Sequence, residues 1–259
     1  MWWLSLSIGN SRLHWGLWCE NSLEITWNSG YLGDDRVDEV IRGWREGKLW
    51  PSGGEVEPHD LDGIPELAIA SVVPEQLGRW QVYPHSRTLG IADLPLQNLY
   101  PGLGIDRALA LLGAGTRYGW PVLTVDSGTA LTLSGADGDR AFVGGAILPG
   151  LGLQFRTLAR QTAALPEIAV PKTLPPRWAT NTADAIRSGI VYTLTAGICE
   201  FVRDWRCQFP ESAIVLTGGN SEEVAAYLRA IAPDIGERAI ADPDLIFWGM
   251  GEVYRAGKV

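Results

Sequence analysis

Cysteine and positive charge are both scarce in this chain of 259 residues. The three cysteines, Cys19, Cys199 and Cys207, are odd in number and share no CxxC spacing, which argues against a disulfide framework and against a zinc site. Lysine and arginine together number 21 against 30 acidic residues, which gives a net charge of −9. Because affinity for nucleic acid comes chiefly from Lys and Arg, this balance argues against a general nucleic-acid binder.

Long hydrophobic runs are absent as well. The longest uncharged run, residues 141–155, is too short to span a bilayer and is interrupted by glycines and a proline. The opening Met1-Trp2-Trp3 lacks the basic residues of a signal peptide. We therefore expect a cytoplasmic protein with no membrane segment. With 46% hydrophobic residues the chain has ample material for a core, which excludes disorder for most of its length.

The two halves of the chain begin with the same pattern. Residues 2–8 form an apolar strand that runs into Gly9-Asn10-Ser11, and an apolar run resumes at Leu13, which predicts a hairpin with a tight Gly-Asn turn. Residues 122–125 form a second apolar strand, followed by Asp126-Ser127-Gly128-Thr129 and a returning strand. We predict an α/β protein with two duplicated domains, 1–118 and 119–259, facing a cleft.

Further elements follow from periodicity and from turn residues. The small apolar residues of 107–118 share a helical face, and Asn181 is placed to cap a long helix. Residues 213–217 read as a buried strand that ends at Gly218-Gly219-Asn220, with a helix over 221–231. Residues 48–62, rich in proline, glycine and acidic side chains, predict a loop.

Both Gly-containing turns have the chemistry of a phosphate site. Gly9-Asn10-Ser11 offers backbone N–H groups, an amide and a hydroxyl where no Cβ blocks an anion, although a plain hairpin turn explains it as well. Asp126-Ser127-Gly128-Thr129 adds a carboxylate that can hold a cation, with an ordinary Asx turn as the alternative. Together with the glycines at 218–219, the two turns suggest a nucleotide lying across a cleft.

A third candidate is Gly104-Ile105-Asp106-Arg107, at the start of the small-residue helix. Arg107 can grip a carboxylate and Asp106 can accept a proton from a hydroxyl, whereas the alternative is that Asp106 only caps the helix. His14, His59 and His85 form no recognisable catalytic group. Rossmann and P-loop fingerprints are also absent, which disfavours a Rossmann dehydrogenase and a P-loop kinase.

Taken in order, these motifs resemble the type III pantothenate kinases over nearly the whole chain. The motifs are Ile8-Gly9-Asn10-Ser11-Arg12, Ala70-Ser71-Val72-Val73-Pro74, Leu103-Gly104-Ile105-Asp106-Arg107, Asp126-Ser127-Gly128-Thr129-Ala130 with Thr132, Gly144-Gly145 through Pro149-Gly150, Asn181-Thr182 and Thr217-Gly218-Gly219-Asn220. The resemblance implies the duplicated ribonuclease-H-like fold of the actin, hexokinase and Hsp70 superfamily, with mixed sheets and a homodimeric assembly. It further implies ATP-dependent phosphorylation of pantothenate to 4′-phosphopantothenate, the first step of coenzyme A synthesis. ATP with Mg²⁺ and a monovalent cation, K⁺ or NH₄⁺, would take part.

The resemblance also assigns site residues. It implies that pantothenate is bound by Tyr100, Gly104, Ile105, Asp106, Arg107 and Thr182, with Asp106 as the proton acceptor, and that Asp126 binds the monovalent cation. ATP would be bound by Ser7, Ile8, Gly9, Asn10, Ser11, Arg12, Leu13, His14 and Thr129. The family usually has Asp where this chain has Ser7, so a carboxylate that would help to hold magnesium is missing. Ser7 therefore keeps open the alternative of a non-catalytic nucleotide-binding regulator on the same fold. A kinase or phosphatase of the same superfamily that acts on another hydroxylated acid or sugar is a further alternative.

Overall fold

The computed structural model describes residues 1–49, 61 and 63–257. His59 and most of the loop predicted over 48–62 lie outside these residues. The chain forms two compact units. Unit 1 comprises Met1–Pro95, Leu99–Gly113 and Ile246–Val259, and unit 2 comprises Leu96–Asn98 and Ala114–Leu245. The division into domains 1–118 and 119–259 stays a prediction.

Unit 1 is built on a five-stranded sheet in the order β3-β2-β1-β4-β5. Its strands are β1 (Trp2–Ile8), β2 (Leu13–Cys19), β3 (Ser22–Ser29), β4 (Glu66–Ser71) and β5 (Ser86–Thr88). The first three strands are antiparallel neighbours, while β4 pairs parallel to β1 and β5 pairs parallel to β4. The helices that begin in this unit are α1 (Asp34–Arg45), α2 (Pro74–Trp80) and α3 (Ile105–Tyr118), with a short 3₁₀ helix at Ile91–Asp93.

Tryptophan side chains fill much of the core of unit 1. Trp15, on β2, stacks on Trp27 with ring centroids 5.9 Å apart and meets Trp80 edge to face at 4.8 Å. Trp44, from α1, contacts Trp15 edge to face at 6.3 Å. Such aromatic pairs bury large apolar surfaces in defined geometries, so these scattered tryptophans fix α1 and α2 against one face of the sheet.

Unit 2 repeats the same sheet. Its order is β10-β9-β6-β7-β8, with three antiparallel neighbours followed by two strands in parallel pairing. The strands are β6 (Val122–Ser127), β7 (Ala130–Ala136), β8 (Phe142–Pro149), β9 (Ala213–Thr217) and β10 (Ile240–Ala241). The helices are α4 (Leu151–Gln161), α5 (Thr182–Gln208), α6 (Ser221–Ile231), α7 (Pro233–Gly236) and α8 (Leu245–Ala256), of which α8 belongs to unit 1 from Ile246 onwards. The predicted α/β class with two duplicated sheets is confirmed.

Helix α5 is the one described helix long and apolar enough, by length and composition, to cross a membrane. Of the 18-residue window of α5 used for this comparison, 44% is buried inside the protein. Ile190, Leu194 and Ile198 of this helix pack into the hydrophobic core of unit 2 together with Val125 of β6. The hydrophobicity of α5 is thus explained by its place in that core, as for other core helices that pass the same test.

Candidate active site

The first candidate site is the loop of residues 9–12 between β1 and β2, here called the first turn. The backbone N–H of Gly9 donates to the carbonyl of Arg12 at 3.1 Å, which closes the loop. Asn10, Ser11 and Arg12 are exposed, and they carry an amide, a hydroxyl and a guanidinium. The loop is longer than the tight Gly-Asn turn predicted from sequence, because pairing of the two strands stops at Ile8 and Leu13.

Neighbouring strands hold the first turn in place. Tyr31, just after β3, donates its hydroxyl to the Gly9 carbonyl at 2.6 Å. Val72 donates its backbone N–H to the Ile8 carbonyl at 3.1 Å. His14 Nδ1 lies 2.5 Å from Asn28 Oδ1, and because an amide oxygen only accepts, the ring nitrogen is the donor. Sequence reasoning missed Asn28 and Tyr31.

Strand register brings these side chains together. Ser7 and His14 are directly opposite across β1 and β2, and His14 is directly opposite Asn28 across β2 and β3. Directly opposed residues present their side chains on the same face of a sheet. The signal for Asn28 was therefore a polar residue near the end of the third strand, which becomes informative only once the register is known.

The second candidate site in unit 1 is the start of α3. The Arg107 side chain is buried, and its Nη1 donates to the Tyr100 hydroxyl at 3.0 Å. Asp106 Oδ1 accepts from the backbone N–H of Arg107 at 2.8 Å. A Cβ on Gly104 would lie only 2.5 Å from that oxygen, so glycine is what lets the carboxylate lie against the backbone. The result is an oriented carboxylate next in sequence to a buried arginine.

Electrostatics link this carboxylate to the first turn. Burial is the largest effect on His14 and lowers its pKa, and the charge of Arg12 lowers it further. The hydrogen bond to Asn28 and the negative charge of Asp106 act in the opposite direction. Unit 1 thus brings the predicted phosphate turn and the predicted proton acceptor within electrostatic range of each other.

In unit 2 residues 126–129, here called the second turn, comprise the last two residues of β6 and the two residues before β7, and they pack against two glycine-containing segments. Asn220 donates its backbone N–H to the Ser127 carbonyl at 3.0 Å, and Gly150 donates to the Thr129 carbonyl at 3.0 Å. Gly218 has a φ of +86°, and a Cβ there would lie 2.2 Å from Asp126 Oδ1. The glycines at 218–219, grouped with the turns from sequence, are therefore structural neighbours of the Asp126 carboxylate.

Asp126 contributes one carboxylate to the second turn. The described part of the chain holds no group of three or more His, Cys, Asp or Glu side chains that could bind a metal ion. Magnesium usually keeps several waters and binds one or two carboxylates together with substrate phosphates, so it does not require a group of this kind.

Thr182 is the first residue of α5 and is exposed. Asn181 caps the helix, since its Oδ1 accepts from the backbone N–H of Asp184 at 2.9 Å. Thr182 and Asn181 line a groove of unit 2 together with apolar side chains that include Leu158, Leu165 and Ile186. The predicted cap is confirmed, and Thr182 lies on the surface where a ligand can reach it.

The duplicated five-stranded sheet, with a turn after the first strand of each unit, is the architecture of the actin and hexokinase class. The family model described as type III pantothenate kinase matches residues 3–204. A type III pantothenate kinase of Nostoc sp. is 47% identical over 258 residues, covering 96% of this chain and 92% of the relative. The chain therefore belongs to the type III pantothenate kinase family, and its reaction is the phosphorylation of pantothenate in coenzyme A synthesis.

Two solved structures show the same fold. A Campylobacter jejuni protein assigned to the Baf family of transcriptional activators superposes with a TM-score of 0.63 at 20% identity, covering 98% of each chain. The activator of 2-hydroxyisocaproyl-CoA dehydratase from Clostridium difficile, solved with bound ADPNP, gives a TM-score of 0.51 at 10% identity and covers 100% of this chain and 97% of its own. At these identities the likeness concerns the fold alone. The predicted actin-like fold and the predicted family are both confirmed.

Proposed function

We propose that the kinase uses Asp106 as its proton acceptor and residues 7–14, with Thr129, as its ATP phosphate site. The single observation that carries this assignment is that Val72 contacts both segments of unit 1: its backbone N–H donates to the Ile8 carbonyl at 3.1 Å, and its Cγ1 would lie 3.9 Å from a Cβ on Gly104, two residues before Asp106. A phosphoryl acceptor has to lie next to the phosphate it receives, so a base for that acceptor belongs beside the phosphate turn.

Pantothenate binding is assigned to Tyr100, Gly104, Ile105, Arg107 and Thr182. The guanidinium of Arg107 is buried, and its Nη1 donates to the Tyr100 hydroxyl at 3.0 Å, which orients its planar fork. A charged, pre-oriented donor binds a carboxylate or carbonyl oxygen about twice as strongly as a neutral one. Gly104 keeps the backbone close to the Asp106 carboxylate, where a side chain would intrude.

The reaction then follows from the position of Asp106. Its carboxylate accepts a hydrogen bond from the primary hydroxyl of pantothenate and orients that oxygen towards the γ-phosphorus of ATP. As the new O–P bond forms and the bond to ADP breaks, the hydroxyl proton passes to the carboxylate. In a loose transition state this transfer comes late, so a carboxylate of ordinary basicity is sufficient.

Asp126 would hold the monovalent cation, supported by its carboxylate lying against Gly218. When bound with ATP, Mg²⁺ neutralises charge on the β- and γ-phosphate oxygens. A cytoplasmic homodimer is the assembly implied by the family resemblance. The side chain of Trp178, which is 90% exposed, is of the kind that subunit interfaces cover.

The test is the formation of phosphopantothenate and ADP from pantothenate and MgATP, in K⁺ or in Na⁺, for the wild type and for Asp106→Asn. Removing a general base lowers kcat by about 100-fold or more, and we expect that loss with unchanged circular dichroism. Asp38→Asn, which changes an exposed carboxylate on α1, is the matched control and should retain full activity. Full turnover in Asp106→Asn would refute the assignment, and ATP binding without turnover in the wild type would favour the regulator alternative.

A further inference from the structure

The first turn and its flanking residues contain no carboxylate. Residues 7–14 read Ser-Ile-Gly-Asn-Ser-Arg-Leu-His, so the ionisable side chains of the segment are Arg12 and His14. Ser7, opposite His14 and only 3% exposed, places a hydroxyl at the end of β1. Residues 7–14 themselves therefore offer a bound polyphosphate no carboxylate for a metal ion, and both of their ionisable side chains are basic.

The imidazole of His14 is oriented so that one nitrogen faces the turn. Its Nδ1 donates to Asn28 Oδ1, so the neutral ring carries its proton on Nδ1 and a lone pair on Nε2. A Cβ built on Gly9 would lie 3.7 Å from Nε2 and 3.8 Å from Cδ2, which places this edge of the ring against the glycine of the turn. A lone pair on Nε2 repels a phosphate oxygen, whereas an Nε2–H attracts it.

The surroundings of His14 decide which form is present. Arg12 acts on the ring from the turn, Asp106 from α3 and Asn28 from β3, while the Tyr31 hydroxyl is bonded to the Gly9 carbonyl. Burial and Arg12 together lower the pKa of His14, so the ring is neutral near pH 7 in the absence of ligand. An anion at the turn acts in the opposite direction, because it stabilises the imidazolium by charge and accepts a hydrogen bond from it.

We propose that His14 takes up a proton from solvent when a nucleotide phosphate binds the first turn, and that its Nε2–H then donates to a phosphate oxygen. The inference rests on the proposed binding of ATP at residues 7–14. Proton uptake makes nucleotide affinity pH-dependent. Between the pKa values of His14 in the free and in the bound protein, the affinity falls by up to about tenfold for each unit of rising pH.

Isothermal titration of MgATP tests the proposal, in two buffers of different ionisation enthalpy at one pH. The buffer dependence of the heat gives the number of protons taken up, and comparing the wild type with His14→Gln cancels the protonation of the nucleotide itself. We expect the wild type to take up more protons than His14→Gln, by a fraction approaching one. We also expect its affinity to fall from pH 6.5 to 8.5 while that of His14→Gln stays nearly constant. His85→Gln, which changes an exposed histidine, should behave as the wild type.

Asn28→Asp separates titration from a merely structural role. Its carboxylate would accept from Nδ1 and stabilise the imidazolium before ATP arrives, so we expect proton uptake to shrink and affinity at pH 8.5 to rise. If His14 had only a structural role, both His14→Gln and Asn28→Asp would bind MgATP more weakly than the wild type. Histidine ¹⁵N NMR provides a direct readout, since the resonance of His14 should titrate at higher pH when ATP is bound.

Equal proton uptake by the wild type and His14→Gln, or a His14 resonance insensitive to ATP, would overturn the proposal while leaving ATP binding at the turn intact. Failure of the wild type to bind ATP at all would overturn both the proposal and the function on which it rests. Circular dichroism of each variant shows whether a change in affinity reflects a change in fold.

Discussion

Gly218→Ala is the substitution that probes the second turn most directly. Gly218 adopts a φ of +86°, and an added Cβ would lie 2.2 Å from Asp126 Oδ1, 2.7 Å from the carbonyl carbon of Ser127 and 2.8 Å from the nitrogen of Gly128. Two of these three atoms belong to the backbone, which cannot move aside as a flexible side chain can. The substitution therefore has two effects at once: it strains the loop after β9, and it displaces the second turn.

The size of the effect follows from three contributions. A non-glycine residue in a left-handed conformation costs about 1–2 kcal/mol. Forcing an extra carbon into a packed site costs about 1–3 kcal/mol. The lower conformational entropy of the unfolded alanine chain offsets about 0.4–1 kcal/mol. We expect the free energy of unfolding to fall by about 1 to 4.5 kcal/mol as the sum of these contributions.

The assay is urea denaturation followed by far-ultraviolet circular dichroism, together with the K⁺ concentration that gives half-maximal activity. This half-maximal K⁺ concentration should rise in Gly218→Ala, because the Asp126 carboxylate, which is assigned to the cation, has to move. Gly219→Ala is the matched control, since a Cβ there meets no atom within 4 Å, and its stability should stay within about 0.5 kcal/mol of the wild type. If both variants have the same stability and the same K⁺ dependence, the reasoning from the close contact at Gly218 is wrong.

Two further predictions concern unit 1. Arg107→Lys removes the planar guanidinium and its hydrogen bond to Tyr100. Steady-state kinetics should then show the KM for pantothenate rising by about tenfold or more, while the KM for ATP changes little. An unchanged KM for pantothenate would contradict the assigned role of Arg107. Burial raises the pKa of Tyr83 to about 12, whereas the phenol of the unfolded chain ionises near 10. The contribution of neutral Tyr83 to the free energy of unfolding is therefore fully present below pH 10 and is lost as the pH rises towards 12. Denaturation at pH 9 to 11.5 should show this fall in the free energy of unfolding, and the fall should be smaller in Tyr83→Phe. At neutral pH the variant should be less stable by about 1–2 kcal/mol, because the Pro65 carbonyl loses its donor. An equally steep alkaline fall in the variant would show that Tyr83 is not the source of the pH dependence.

Elements with strong local signals were predictable from the sequence. The strand over 213–217 and the helix over 221–231 have the predicted bounds, since a buried apolar run, a glycine turn and a helical period follow one another there. Helix α2 was not predicted, because its seven residues are too few for a period and include Gly78. Strand β5 has three residues, and its pairing with β4 depends on a contact distant in sequence. Short elements of this kind are determined by the sheet they join.

The candidate site shows the same division between local and distant information. Asp106, Arg107 and the first turn carry motifs that can be recognised in isolation, whereas Asn28 contributes through register alone. The pairing of β2 with β3 shifts at a bulge between Leu17 and Trp18, so counting back from the hairpin does not place Asn28 opposite His14. A slip of one residue would turn Asn28 to the other face of the sheet and leave Nδ1 of His14 without its acceptor. The tautomer of the imidazole at the first turn thus depends on a bulge outside the motif, and so does any proton that His14 takes up on binding ATP.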